Sequence, residues 1–200
     1  SPLTVDSIVQ SGRKLKFRRD GNAFFITLDA AQRAGPTAHH TVGYHGKPRI
    51  GARLPWDGGF TFQRDSLGRP WIATANEGLG ASVWWPLKDY LADEPDSQRI
   101  AITLPDSIVD VSNGRLRSTN RNPDGTTTYE WFVTSPINSY NVTINAAHYG
   151  HFSDTLAGEA GKLSLDYWPL DYHVDTARGQ FKQVVTMLQC FERWFGPYPW

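Results

Sequence analysis

Carboxylates and indole rings crowd residues 71–97, WIATANEGLGASVWWPLKDYLADEPDS, and this stretch has the side chains best suited to chemistry. Glu77 stands between Asn76 and Gly78. Paired tryptophans follow at Trp84 and Trp85, and Asp89, Asp93, Glu94 and Asp96 come after Pro86. Loops dense in aromatics and acids are more often sites than connectors. The same composition fits a core plug of Trp84, Trp85 and Pro86 beneath a long loop, and the residues alone leave both readings open.

Other groups with chemical potential read more plainly. Hydrolysis at zinc needs three protein ligands and an open position, often two His one helical turn apart with a Glu base between them. The histidines are His39, His40, His45, His148, His151 and His173. His148 and His151 fall at a strand and just past its end, where three-residue spacing splays them to opposite faces. They read as surface or hydrogen-bonded histidines, and no His-Glu pair exists in the chain. Asn120, Asn122, Asp124 and Gly125 follow the first half of a calcium loop. The Glu such a loop needs at its last position is replaced by Trp131, and both flanks read as strands, so a hairpin turn is expected. Cys190 lies beside the apolar stripe of a helix and reads as a buried thiol. Asn141-Val142-Thr143 has the form of a glycosylation sequon in mid-strand and receives no role.

The elements that must position these groups are mostly strands. Residues 4–9, 13–19, 22–28 and 39–44 alternate or carry strand-forming residues. Asp20-Gly21-Asn22 marks a hairpin turn, and Gly35-Pro36 breaks the chain before the fourth run. Pro55 punctuates an irregular connection. Phe60 and Phe62 then begin a hairpin with its tip at Asp65-Ser66-Leu67-Gly68, and residues 71–74 form its short return strand. After the loop, Ile100, Ile102 and Leu104 share one strand face. Tyr129, Trp131 and Val133 share another, and Val142, Ile144 and Ala146 a third. Asn122-Pro123-Asp124-Gly125 is a strong hairpin signal. Residues 153–162 are polar and Gly-rich and read as a turn before a strand over 163–168. From about Asp175 the period changes: Phe181, Val184, Val185, Leu188, Phe191 and Phe195 make one helical face. Asp175 or Thr176 is placed to cap this helix, and Gly196-Pro197 to stop it.

Composition limits the partners. Lys plus Arg equals Asp plus Glu at 20 each, which argues against nucleic acid or an anionic membrane as the main partner. No apolar window is long enough to span a bilayer. A hydrophobic content of 40% suffices for a real core within 200 residues. Ser1 in place of an initiator Met, and an end at Trp200, lead us to expect a piece of something longer.

Three blocks of residues resemble one family. Glu77 lies nine residues before Pro86, and Pro86-Leu87-Lys88-Asp89 stands where a Pro-Cys-x-Asp segment would, ahead of Asp93-Glu94-Pro95. Ser112-Asn113-Gly114, Trp131, Pro136 and Ser139-Tyr140 form a Ser-Asn-Gly … Trp … Pro-x-x-Ser-Tyr series. Residues 191–199 read Phe-Glu-x-x-Phe-Gly-x-Tyr-Pro. Together these are similar to the N-terminal domain of zinc aminopeptidases of the aminopeptidase N and leukotriene hydrolase type. The departures are Ser82 where the family carries Arg, and Leu87 in place of Cys.

The resemblance implies a mostly β fold: an antiparallel, saddle-like β-sandwich with one C-terminal helix that begins the next domain. It implies an N-terminal β domain over residues 1–170. Residues 171–200 would be a linker and the first helix of a catalytic domain. The family's Gly-x-Met-Glu-Asn and His-Glu-x-x-His elements would follow and are not in the chain. Zinc would belong to the parent protein, with no catalytic or metal-binding residue in this segment. Glu77 would hold the free α-amino group of a peptide substrate, with Asn76 and Gly78 shaping the pocket. Trp84 and Trp85 would pack the loop against the sheet, and Asp89 would cap or brace it. The style of the sequence points to a secreted or periplasmic bacterial enzyme, with a cytoplasmic one as the alternative. A scaffold module of a catalytically dead relative, and a stand-alone carbohydrate-binding β-sandwich using the eight tryptophans, are the competing functions.

Overall fold

A computed structural model describes residues 3–35, 37–53 and 56–199. Ser1, Pro36, Pro55 and Trp200, which carry expectations above, lie outside the described residues. The architecture is mostly β, with antiparallel ladders and helix at the C-terminal end. Strands are β1 (Leu3–Gln10), β2 (Arg13–Lys14), β3 (Lys16–Asp20), β4 (Ala23–Thr27), β5 (His40–Gly46), β6 (Gly59–Arg64) and β7 (Pro70–Ala75). They continue as β8 (Gln98–Pro105), β9 (Val109–Ser112), β10 (Arg115–Arg121), β11 (Thr126–Val133), β12 (Ile144–Ala147), β13 (Phe152–Gly158) and β14 (Gly161–Tyr167). The helices are α1 (Val174–Gln180) and α2 (Gln183–Phe195).

The chain divides into two compact units. The first comprises Ser1–Thr61, Thr74–Glu94 and Asn138–Val142. Its sheet runs β2-β1-β5, with β3-β4 as a separate hairpin around the expected Asp20-Gly21-Asn22 turn. Ile8, on the inner face of β1, is fully buried, with Leu3 and Leu15 nearly so. Each such aliphatic side chain removed from water stabilises by about 1.5–3 kcal/mol. The second unit comprises Phe62–Ala73, Pro95–Ile137 and Thr143–Trp200, so β6 and β7 contribute residues to both.

In the second unit, β8, β11 and β10 form one sheet in the order β10-β11-β8, while β12 pairs with β7 and β9. The alternation expected along β11 is observed: Thr127, Tyr129, Trp131 and Val133 are buried and the residues between them less so. The same holds for Ile144 and Ala146 on β12. The β6–β7 hairpin closes at Asp65–Arg69, with Asp65 N–H donating to Arg69 O at 2.9 Å. The β10–β11 turn is the hairpin expected in place of a calcium loop; Asp124 accepts from Thr126 Oγ1 at 2.7 Å.

One acid is fully buried in the core among the described residues. Asp110 on β9 is fully buried, and its Oδ2 accepts from Trp131 Nε1 at 2.9 Å. Its Oδ1 has no partner among the described residues. Burial pushes the carboxyl up to about 7, against a smaller lowering by the Trp131 hydrogen bond.

Three sequence expectations are corrected. Residues 153–162 are not one long turn: β13 pairs with β14 from Phe152↔Tyr167 to Gly158↔Gly161. Only Phe152 and Leu156 of β13 are buried, four residues apart, so the alternation that marks a strand is missing from the sequence. The helix start carries no side-chain cap at Asp175 or Thr176; a short 3-10 turn, Asp171–His173, leads directly into α1, and Asp175 falls in its first turn. Cys190 is exposed, not buried.

The C-terminal helical segment is interrupted at Phe181 and Lys182. There the Phe181 ring stacks on Tyr167 with centroids 5.1 Å apart, and Tyr167 stacks in turn on Phe152 at 4.8 Å. Gly179 weakens the helix just before the break. The expected apolar face of α2 is divided. Val184 and Leu188 are half-buried, and the next position on that line is Glu192, which is buried. Glu192 Oε1 accepts from Glu159 N–H at 3.2 Å. Met187, Phe191, Trp194, Phe195 and Tyr198 form an outer stripe left open, with Phe195 84% exposed. Gly196 ends α2 as expected.

Candidate functional site

The loop after β7 folds back on itself within the first unit. Gly80 N–H donates to Asn76 O at 2.9 Å, and Leu79 N–H to Glu77 O at 2.8 Å. Closing so tight a loop takes positive φ at Gly78 (70°) and Gly80 (74°), a region that costs a side chain bearing Cβ. A short 3-10 turn, Ala81–Val83, follows. Ser82 Oγ then donates to Asp89 Oδ2 at 2.7 Å, so Asp89 braces the loop as expected.

Asn76 ties the loop to a remote segment. It is 5% exposed. Its Nδ2 donates to Tyr140 O at 2.6 Å and to Val142 O at 3.0 Å. Its Oδ1 accepts from Trp84 Nε1 at 3.0 Å. Both amide hydrogens and the amide oxygen are thus engaged, as a buried amide requires. Asn76 therefore ties the loop to the 140–142 segment and to Trp84. Trp84 packs edge-on against Phe60 with centroids 6.0 Å apart, and Trp85 lies 5.7 Å from Trp84, so the pair anchors the loop.

Glu77 is exposed, and one of its oxygens is held. Tyr140 Oη donates to Glu77 Oε2 at 2.6 Å. That hydrogen bond, with burial and the Glu77 charge, holds the Tyr140 phenol above its usual value. The carboxylate is held through Oε2, and the Glu77 side chain stays exposed. Gly78 beside it is open: a Cβ there would meet nothing within 4 Å. The result is an exposed carboxylate on a braced loop, oriented through one oxygen. Such a group accepts hydrogen bonds from a cation with several N–H donors.

Close approach from beneath fixes the loop height. A Cβ on Gly58 would lie 2.9 Å from Glu77 O and 3.2 Å from Leu79 Cβ. Gly58→Ala is therefore expected to destabilise the protein by about 1–3 kcal/mol, through the backbone shift that overpacking forces. Urea unfolding of the two proteins checks this, and an unchanged midpoint would mean the loop yields freely. Sequence reading missed Gly58 and the Tyr140 contact. Tyr140 is 63 residues from Glu77 in the chain.

In structure, the chain is similar to solved zinc metallopeptidases. An M1 zinc metallopeptidase variant from Deinococcus radiodurans matches with a TM-score of 0.77 at 17% identity, covering 98% of this chain and 44% of that one. A variant from the same organism bound to a Tyr-Ser-Ala substrate matches with a TM-score of 0.76 at 18% identity, again over 98% and 44%. Legionella pneumophila aminopeptidase A in complex with aspartic acid matches at 0.70 and 17% identity, over 97% of this chain and 22% of that one. The fold is that of the N-terminal part of M1 zinc metallopeptidases. The chain spans less than half the length of these neighbours. No protein-family profile and no curated protein matches the sequence.

Within this M1-type fold two of the histidines have carboxylate partners. His151 Nε2 lies 2.8 Å from Asp166 Oδ1, and its ring stacks on Trp168 at 4.1 Å. His45 pairs with Asp6 at 2.8 Å. Among the described residues no three His, Cys, Asp or Glu side chains converge as a metal site would require. The donor set among the described residues does not fit a zinc centre. Among the described residues, no helix is long and apolar enough to cross a membrane.

Proposed function

We propose that this chain is the non-catalytic N-terminal part of a zinc-dependent aminopeptidase, and that Glu77 anchors the free α-amino group of the peptide substrate. The observation that carries the proposal is the likeness to M1 metallopeptidases over 98% of the chain, with Glu77 at an open position on a braced loop. An α-ammonium has three N–H donors and needs carboxylate acceptors at hydrogen-bond distance. Holding the amine fixes the scissile bond one residue from the chain end, which gives exopeptidase specificity by position. Asn76 and Gly78 serve this role by shaping the loop.

In this reading the zinc is held by residues of the parent protein beyond this chain, and the 200 residues alone are inactive. Residues 1–170 form the β domain and residues 171–200 lead into the catalytic domain. The open stripe from Met187 to Tyr198 supports that division, since a further domain would cover it. The enzyme would act outside the bacterial cytoplasm, secreted or periplasmic.

The test is hydrolysis by the full-length parent protein of an amino-acid anilide and its N-acetyl counterpart, with and without a chelator. The free-amine substrate should be cleaved in a chelator-sensitive reaction, and acetylation should lower kcat/KM by about 100-fold or more. Absence of chelator-sensitive cleavage in zinc-replete protein would replace this reading with a scaffold role. Equal rates on both substrates would remove the amine anchor.

A further inference from the structure

The contacts of Asn76, Glu77 and Tyr140 close into a ring. Asn76 grips the Tyr140 main chain through its carbonyl, at 2.6 Å. The Tyr140 side chain reaches back and donates to the Oε2 of Glu77, the residue next to Asn76, also at 2.6 Å. Trp84 holds the far side of Asn76, and the same Nδ2 that grips Tyr140 also holds Val142. The Tyr140 phenol is therefore delivered by a main chain that the loop itself fixes. An exposed Glu otherwise samples many rotamers, and ordering it on binding costs conformational entropy. A hydroxyl donating to Oε2 removes much of that freedom before any ligand arrives, so the ligand meets an exposed carboxylate that is already oriented.

We propose that Tyr140 is a positioning residue for substrate recognition: its hydroxyl orients the Glu77 carboxylate so that it meets the substrate ammonium. This rests on the amine-anchor reading of Glu77 given above. Tyr140 acts through Glu77, so its effect is confined to ligands that carry the amine. A phenol that only held the loop together would affect all ligands alike.

The experiment measures binding of L-leucinamide and of its desamino analogue, isocaproamide, to the full-length parent protein by competition against an anilide substrate. The proteins are wild type, Tyr140→Phe, Glu77→Gln and the double variant. Tyr140→Phe keeps the ring and removes only the hydroxyl. It should weaken L-leucinamide about tenfold, the scale of one hydrogen bond to a charged group, and raise the anilide KM by a similar factor. Isocaproamide affinity should stay close to wild type. In the double variant the loss of the hydroxyl should add little to that of Glu77→Gln, because the phenol has no carboxylate left to orient. Equal weakening of both ligands would make Tyr140 a structural tie and overturn the proposal. So would L-leucinamide binding that is unchanged by Tyr140→Phe yet weakened by Glu77→Gln. If Glu77→Gln leaves L-leucinamide binding unchanged, the amine-anchor reading itself falls and takes this inference with it.

Discussion

Replacing Glu77 by alanine in the full-length protein should lower kcat/KM for free-amine substrates about 100-fold, or about 2.7 kcal/mol of transition-state stabilisation. The size follows from the charge and from what remains. An ammonium at this site would lose its carboxylate acceptor, and the Tyr140 hydroxyl, which donates to Glu77 at 2.6 Å, cannot replace an anion. The loss should appear in kcat as well as KM, because an unanchored chain end no longer holds the scissile bond in one place. An N-acetylated substrate, already poorly held, should respond little. Glu77 is exposed, so the substitution should cost less than about 0.5 kcal/mol of stability. A variant with wild-type melting temperature and kcat/KM within a factor of about three would remove Glu77 from the mechanism.

Asp110→Asn should change how stability depends on pH, by an amount on the order of 3 kcal/mol between pH 4 and pH 8. The carboxyl titrates near 7 in the fold against an ordinary value of 3.8, chiefly because burial disfavours its charged form. The folded state therefore holds a proton that the unfolded chain has already released. Below about pH 4 both states are protonated and the group is neutral to stability. Between there and about 7 the stability of the wild type falls as pH rises, and above 7 the full penalty of a buried anion is present. Among the described residues Oδ1 is unpartnered, and Trp131 Nε1 alone donates to the carboxylate to offset that penalty. Tyr129 and Tyr149, whose phenols are raised partly by the Asp110 charge, are the other titratable groups that feel it. Asparagine keeps the acceptor for Trp131 and cannot ionise, so its stability curve should be flat over the same range. Urea unfolding at several pH values separates the two. Parallel wild-type and variant curves would show that Asp110 stays ionised, or meets water, in the native state.

Much of this protein was legible in the order of its residues. Period-two runs such as Tyr129, Trp131 and Val133 announce buried strand faces, because each strand residue reverses its side-chain direction. The turns at Asp20-Gly21-Asn22 and Asn122-Pro123-Asp124-Gly125, and the stop at Gly196, are local backbone preferences and need no distant partner. The spacing of Glu77 to Pro86 and the flanking motifs were enough to expect the N-terminal fold of M1 metallopeptidases.

What the order of residues left open are contacts between segments far apart in the chain. β13 looked like a turn because its pairing to β14, not an alternating pattern, makes it a strand. Glu192 took the buried line of α2 because main-chain N–H groups of Glu159 and Tyr198 converge on its carboxylate, while Cys190 and Phe195 turned outward. Asp110 is an ordinary acid in sequence and becomes an unusual one only when the sheets close over it and Trp131 supplies its hydrogen bond. Glu77 could be singled out from sequence. That its second oxygen is held by Tyr140, and the loop beneath it by Asn76, Trp84 and Gly58, was decided by tertiary structure alone. Hydrogen bonds and close packing depend on position in space, and local sequence preference does not encode positions 63 residues apart.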